Sequence, residues 1–379
     1  MTDTQMPTAY RFIEPLDLLF LRGNALFGDA GSYGPSMVLP RPSVLAGALR
    51  SLMLVHDGFD PAEFARGQRP HPTLGTPSQP GSFALTGLDL ARRRPDGSVE
   101  SLHALPADLV LSEGQDGQPQ LQQMRPHAPA AGLQSSAPLS HWPLLAQPQR
   151  SKPISGRWLT QAGWAQYLKG QTPGPDQLVG TDQLWQMDSR VGIGLDSATG
   201  SVAEGKLFSA QALALRSGIG YLASVQGGEP PASGLLRLGG DGRGAAIQAV
   251  RHAPPEPPWQ ALADARSCRI VLTTPGLFAQ GWLPPGLDAQ HRLSLHGITG
   301  RLVCATVPRA EVISGWDLAL RQPKPAERAA PSGSVYWIDE LEATPAQLRK
   351  LAGHGLWDDD NQNPVRRAEG FNRFIFAAY

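Results

Sequence analysis

The sequence has little cysteine, little lysine and no net charge. Two cysteines, Cys268 and Cys304, are too few for a disulfide framework and cannot make a four-thiolate metal site. Both lie in apolar runs, so each reads as reduced and buried. Lysine plus arginine (33) equals aspartate plus glutamate (33). That balance removes the whole-molecule field that would draw in a polyanion or an anionic membrane, so any such site has to be a local patch. No uninterrupted apolar run approaches the roughly 18 residues of a spanning helix, and Met1 to Ala9 lacks a basic segment followed by an apolar one. A soluble, cytoplasmic protein without membrane contact is expected. Chemical signatures are missing too. There is no GxSxG elbow, HExxH, Walker loop or Cys-x-x-Cys, and the nine histidines show no metal-ligand spacing. No catalytic residue, metal or cofactor is assigned.

What is present is turn chemistry. Gly (42) and Pro (36) make about a fifth of the 379 residues, against roughly 12% on average, which rules out long helical bundles. The length suggests two or three domains at roughly 150 residues each. Tyr10 to Leu21 reads as a first strand and Arg22 to Pro40 as a Gly/Pro-punctuated loop. A helix then opens at Arg41-Pro42-Ser43, with Ser43 as its N-cap and Leu45, Leu49, Leu52 and Val55 at helical spacing. Ser82 to Leu90 and Val99 to Leu102 read as strands around an RRRPDGS turn. The Pro/Gln/Ser-rich stretch from about 106 to 180, with one helix near Trp158 to Lys169, looks like an insertion lying over a core.

Extended segments follow at Arg190 to Asp196, Lys206 to Leu215, Gly220 to Val225 and Leu235 to Val250. The proline-rich APPEPP at 253–258 is the best linker. Beyond it come strands at Cys268 to Thr274, Arg301 to Val307, Val312 to Leu318, Ser334 to Ile338 and Phe371 to Ala378, with a helix near Pro345 to Ala352. The fold class predicted is α+β, as two halves with mostly antiparallel sheets: residues 1–252, carrying the insertion and a hairpin at about 190–215, and residues 259–379.

Two local features carry chemistry. Gly239-Gly240-Asp241-Gly242-Arg243-Gly244 lets a backbone approach a phosphate and present N–H groups, with the Arg243 guanidinium beside them. Its plainer reading is an ordinary glycine-rich connection. Arg41 and Ser43 put a cation and free N–H groups at one helix start, an anion site if not simply a cap. Arg92-Arg93-Arg94 reads as a solvated hairpin tip, His56 as a helix-terminal residue, and Asp358-Asp359-Asp360 as a solvated acidic loop without calcium-loop spacing. GFNRFIFAAY breaks the order of an aromatic RNA-stacking strand, so Phe374 and Phe376 read as core.

Four segments together, FIEPLDLLFLRG with PRPSVLAGALR, RVGIGLDSATGSVAEGKLFSAQALAL, LRLGGDGRG and ISGWDLALRQPKPAERAAPSGSVYWI, resemble the RAMP-superfamily subunit three of the Cmr module of type III-B CRISPR effector complexes. The resemblance spans most of the chain and is weakest from about 106 to 180. It implies two ferredoxin-like, RNA-recognition-type halves and an antiviral, non-catalytic role. The subunit would bind the 5′ handle of crRNA, dock on the polymerase-like large subunit and neighbouring backbone RAMP subunits, and meet target RNA through the complex. Gly239, Gly240, Gly242 and Arg243 match the family's glycine-rich loop and would face the handle, with Arg41 and Ser43 completing the surface. The RVGIGLD to LFSAQ block resembles the thumb hairpin, where Asp196 and Gly200 would shape the turn and Arg190 and Lys206 are the nearby cations.

The sequence departs from the pattern at two places. Ser197 stands where related backbone subunits often carry Arg, and Asn372 where glycine is usual. Trp316 and Lys324 match family segments, with packing the favoured role for Trp316. The competing functions are a metal-independent endoribonuclease that cuts CRISPR repeat RNA with His56 as its base, and a scaffold that only bridges proteins.

Overall fold

Phe12 and Ile13 are adjacent in sequence and both are buried, at 1% and 0% exposure. Neighbouring strand residues point to opposite faces, so the strand that carries them is covered on both sides. The computed structural model describes residues 7–23, 33–34, 36–114, 119–130, 132, 134–135, 137–146, 152–196, 198–317, 322–359 and 362–379. The first strand is β1 (Ala9–Pro15), followed by α1 (Pro42–His56), β2 (Ala84–Arg93), β3 (Val99–Ala104), β4 (Arg157–Leu159), α2 (Gln161–Leu168) and β5 (Leu178–Gly180). Next come the paired strands β6 (Trp185–Leu195) and β7 (Val202–Leu215), then β8 (Ile219–Gln226), β9 (Ser233–Arg237) and β10 (Gly244–Ala249). One eight-stranded antiparallel sheet runs β5-β4-β3-β2-β8-β1-β10-β9.

On one face of this sheet α1 lays Leu45, Leu49 and Met53 against Ile13, Tyr221 and Ile247. Their spacing of four residues puts the three on one helical stripe, and burying each contributes about 1.5–3 kcal/mol. The other face packs Phe12, Ala91, Val99 and Leu222 under Tyr10 and Val250. Arg93 closes that face by lying 4.7 Å over the Phe12 ring and donating to Gln248.

The second half comprises α3 (Trp259–Ala265), β11 (Cys268–Leu272), β12 (Arg292–Leu295), β13 (Ile298–Thr306), β14 (Val335–Glu342), α4 (Pro345–His354), α5 (Pro364–Glu369) and β15 (Phe374–Ala377). Its sheet order is β12-β13-β14-β11-β15, all antiparallel. β11 is buried at every position, and its residues split between two cores. Ile270 and Leu272 face α3 and α4 together with Phe374 and Phe376, whereas Val271 faces Leu109, Leu159, Trp164, Tyr167 and Leu168. Cys268 and Cys304 are free and buried, as expected.

The α+β class and the antiparallel sheets agree with the sequence reading; several local readings need correction. The 106–180 stretch is not merely draped over a core. β4 and β5 extend the first sheet and α2 covers the second, so its apolar residues, sparse among prolines and glutamines, are core residues. Asp108 makes the join explicit: fully buried, it pairs with fully buried Arg269 of β11 and accepts from the Tyr167 hydroxyl at 2.8 Å and from Gln123 at 3.0 Å. Arg269 also donates from Nε and Nη2 to the Tyr167 and Ala378 carbonyls. Burial, with Asp108 alongside, pushes the Tyr167 hydroxyl well above its ordinary value, so it donates as a neutral phenol.

Ser43 is not the N-cap of α1. Pro42 takes the first helical position, where its missing N–H costs nothing, and Arg41 becomes the cap residue without a side-chain hydrogen bond. Nor is 92–94 a free hairpin tip, since Arg92 and Arg94 both hold Glu100, each at 2.9 Å. Of the strand expected at 312–318, two short pieces are described, Glu311–Ile313 and Trp316–Asp317.

Asn372 does the work expected of a glycine. It sits at φ 58° and uses its buried amide to receive the Leu277 N–H at 2.6 Å and to donate to the Leu356 carbonyl at 2.8 Å. Asn is the non-glycine residue best suited to that conformation. Among the described residues no helix is long and apolar enough to cross a membrane.

Candidate nucleic-acid interface

The glycine turn connects β9 to β10. Its backbone turns back through positive φ at Gly239 (79°), Asp241 (57°) and Gly242 (66°). A Cβ at Gly239 would come within 2.9 Å of the Phe20 carbonyl, so the first glycine is required both by conformation and by close approach. That carbonyl accepts the Gly240 N–H at 2.9 Å, and Leu238 N–H donates to the Arg243 carbonyl at 2.9 Å. The N–H groups of Gly239, Asp241 and Gly242 find no acceptor among the described residues, leaving a short row of backbone donors of the kind that cradles anions.

Beside this turn the start of α1 completes a concavity of about 240 Å3, lined by Phe20, Arg22, Met37, Arg41, Val44, Gly239, Gly240 and Asp241. Drug-sized pockets run from about 300 to 1,000 Å3, so this one suits a single group of a larger ligand. The structure therefore brings together the glycine turn and Arg41, which lie about 200 positions apart in the chain. Arg243 flanks the concavity, 5.3 Å over the Phe20 ring and 2.7 Å from Asp17. Arg41 reaches into the second half, where it holds the Glu311 carboxylate and donates to the Val312 carbonyl at 3.3 Å. Ser43 sits half-buried in the first turn of α1 beside Val44.

Phe20 joins this surface to the hairpin β6–β7. Ala210 and Ala212 of β7 pack on Phe20, and Leu19 exchanges backbone hydrogen bonds with Leu213 at 2.9 and 2.8 Å. The hairpin projects from this root through eleven and fourteen residues of strand. At its tip Asp196 accepts the N–H groups of Ala198 and Thr199, each at 2.9 Å, and Gly200 turns at φ 67°. Both residues therefore shape the turn as read. Those hydrogen bonds hold the Asp196 carboxyl below its ordinary value.

Arg190 is half-exposed on the hairpin, paired with Asp188 at 3.0 Å. Ser197 and the side chain of Lys206 lie outside the described residues. Sequence reasoning picked cations here and missed the apolar stripe: Val191, Ile193 and Leu195 stand exposed at 71%, 50% and 59% on one face. Their alternation with Gly192 and Gly194 was the available signal. On the opposite face the Phe208 ring lies where a Cβ of Gly192 would be.

His56 is exposed at the end of α1. Next to it, His71 receives the Thr73 and Leu74 N–H groups on Nδ1 and donates from Nε2 to Asp57 at 2.9 Å, so both ring nitrogens pin a loop. Ser101, His103 and Asp89 stand in triad order, with separations of 3.0 and 3.2 Å. Ser101 is nevertheless only 1% exposed, and Trp164 stacks on His103 at 4.5 Å. That cluster clamps α2 to the sheet.

Among the described residues no group of three or more His, Cys, Asp and Glu side chains is arranged to hold a metal. Asp358 and Asp359 are exposed, and Asp360 lies outside the described residues. Trp316 is 57% exposed, against the packing role expected of it; among the described residues the short strand carrying it pairs with Gln322–Pro323. Lys324 pairs with Glu369 at 3.5 Å.

Known proteins bear on this arrangement. The chain shares its fold with a subunit in the cryo-EM structure of the type III-B Cmr-beta complex bound to cognate target RNA and AMPPnP, with a TM-score of 0.51, 14% identity, and coverage of 96% of this chain and 95% of that one. A second structure, of the same complex bound to cognate target RNA, gives a TM-score of 0.50, 15% identity and 96% coverage of each chain. No curated protein matches the chain. The family model described as CRISPR-associated protein (Cas_Cmr3) matches residues 11–376. The resemblance read in the four segments is thereby borne out, and the chain belongs to the Cmr3 family of CRISPR-associated proteins.

Proposed function

We propose that the chain is a non-catalytic RNA-binding subunit of a cytoplasmic type III-B effector complex. In this reading it holds the 5′ handle of crRNA on the surface formed by Arg41, Ser43, Gly239, Gly240, Gly242 and Arg243, with Arg190 and Lys206 on the neighbouring hairpin. It docks on the polymerase-like large subunit and backbone RAMP subunits and meets target RNA through them. The observation that carries the reading is the convergence of the glycine turn and Arg41 on one concavity whose third wall is Phe20, the residue that also roots the hairpin. Unengaged N–H groups and arginines are parts that hold a strand by its backbone, and the Val191, Ile193 and Leu195 face gives the hairpin an apolar wedge against bases.

Strand order supports two ferredoxin-like halves, 1–252 and 259–379. In the first, β10-β1-β8-β2 follows the split β-α-β order with α1 crossing from β1 to β2; in the second, β15-β11-β14-β13 repeats it with α4 between β14 and β15. Each half keeps one of the two crossover helices of that fold.

The test is binding of labelled repeat RNA to the purified chain in chelator. With about 0.7 per cation-phosphate contact, three to five contacts give a log-log salt slope of roughly −2 to −4. Arg243→Ala is expected to weaken binding several-fold and flatten the slope by up to about 0.7 while leaving the protein folded. Unaltered affinity removes Arg243 from the site. Site-specific cleavage lost in His56→Ala would favour the endoribonuclease instead.

A further inference from the structure

Each arginine around the concavity is answered by a carboxylate. Arg243 Nη1 lies 2.7 Å from Asp17 Oδ2, Arg22 Nη2 lies 3.9 Å from Asp241 Oδ2, and Arg41 holds Glu311. All three pairs join residues more than 200 positions apart, so they are products of the fold and not of neighbouring letters. Their contribution to stability is small where the partners are exposed, and Asp17 and Asp241 are 64% and 54% exposed. Their effect on an incoming anion is large by comparison. A phosphate that takes an arginine must displace a carboxylate and leave it a few ångströms away, so the net charge neutralised per contact falls. Asp241 adds to this from inside the glycine turn, among the N–H groups a phosphate would use.

We propose that Asp17, Asp241 and Glu311 are built-in counter-ions that hold down sequence-independent polyanion binding at this surface. The inference rests on the RNA-binding reading and assigns these acids a role within it. With the arginines self-neutralised, the non-specific electrostatic component is small. Occupancy then depends on a ligand that also meets the turn's N–H groups and the Phe20 wall.

The experiment measures binding of a polyuridine 20-mer to the full chain across salt. The probe is chosen for its lack of any handle sequence, so the result is separable from repeat-RNA binding. The triple variant Asp17→Asn, Asp241→Asn, Glu311→Gln should bind polyuridine at least about tenfold more tightly at 50 mM salt than the unaltered chain. Its salt slope should steepen by about 2, from three arginines at about 0.7 each. Asn tolerates the positive φ of Asp241, and the double variant Asp17→Asn, Asp241→Asn carries the test if removing the Glu311 charge unsettles the contact between halves.

Adding Arg243→Ala to either variant should erase a large part of the gain. Affinity and slope unchanged from the unaltered chain overturn the inference. So does a gain that survives Arg243→Ala, since it would come from the altered total charge and not from this surface. Repeat RNA that binds the unaltered chain independently of Arg243 would instead count against the RNA-binding reading itself.

Discussion

Glu100 is the residue where charge and burial meet most directly. Its carboxylate is 3% exposed on β3 and takes Arg92 and Arg94 from across the hairpin. Burial alone would raise its pKa; the hydrogen bonds from Arg94 and Arg92 outweigh it and hold the carboxyl below the ordinary value of 4.5. A depressed carboxylate contributes stability that is complete above its unfolded value and is lost as pH falls through the folded one. Glu100→Gln is therefore expected to cost roughly 1 kcal/mol at pH 7, discounted because the arginines are partly exposed, and the deficit should shrink below about pH 4.5. Urea unfolding at pH 7, 5, 4 and 3 measures this, and a deficit that stays constant across the range contradicts it. At this scale the sequence was half legible. Buried Cys268 and Cys304 and core Phe374 and Phe376 followed from apolar context. The partners of Arg92, Arg94 and Arg269 did not, because an ion pair, whether across one hairpin or between distant segments, leaves no periodic trace.

Among the elements, the glycine turn shows how one letter serves two constraints. Gly239 and Gly242 both have positive φ, but only Gly239 has a backbone oxygen where a Cβ would go. Gly242→Ala is expected to cost about 1–2 kcal/mol, the conformational penalty alone. Gly239→Ala should cost more and shift the Phe20 segment with it. Thermal melts of the two variants give the ordering, and equal costs would mean the turn relaxes away from Phe20. The elements themselves were legible where periodicity was strong, as in α1 and the β6–β7 hairpin. Cap position was not, since Pro42 and Ser43 compete for the same signal and the proline's fixed φ wins. The apolar stripe of the hairpin was overlooked because glycines dilute the alternation that carries it.

Across the whole molecule, a neutral chain of 379 residues folds so that the arginines around the concavity are each paired with a carboxylate. The 106–180 segment gave the least sequence signal and yet, through Asp108 and Tyr167, ties the two sheets together; its apolar residues are too widely spaced to read as core until β11 is set against them. The surface built from Arg41 and the glycine turn is the central claim. It is tested most directly by tagging this chain in its native host, crosslinking the purified assembly with ultraviolet light and sequencing the attached RNA. Repeat-derived 5′ ends joined to peptides spanning 36–44 and 237–244 are the predicted result. Repeat-derived RNA crosslinked only to other parts of the chain, or absent from it, would contradict the account.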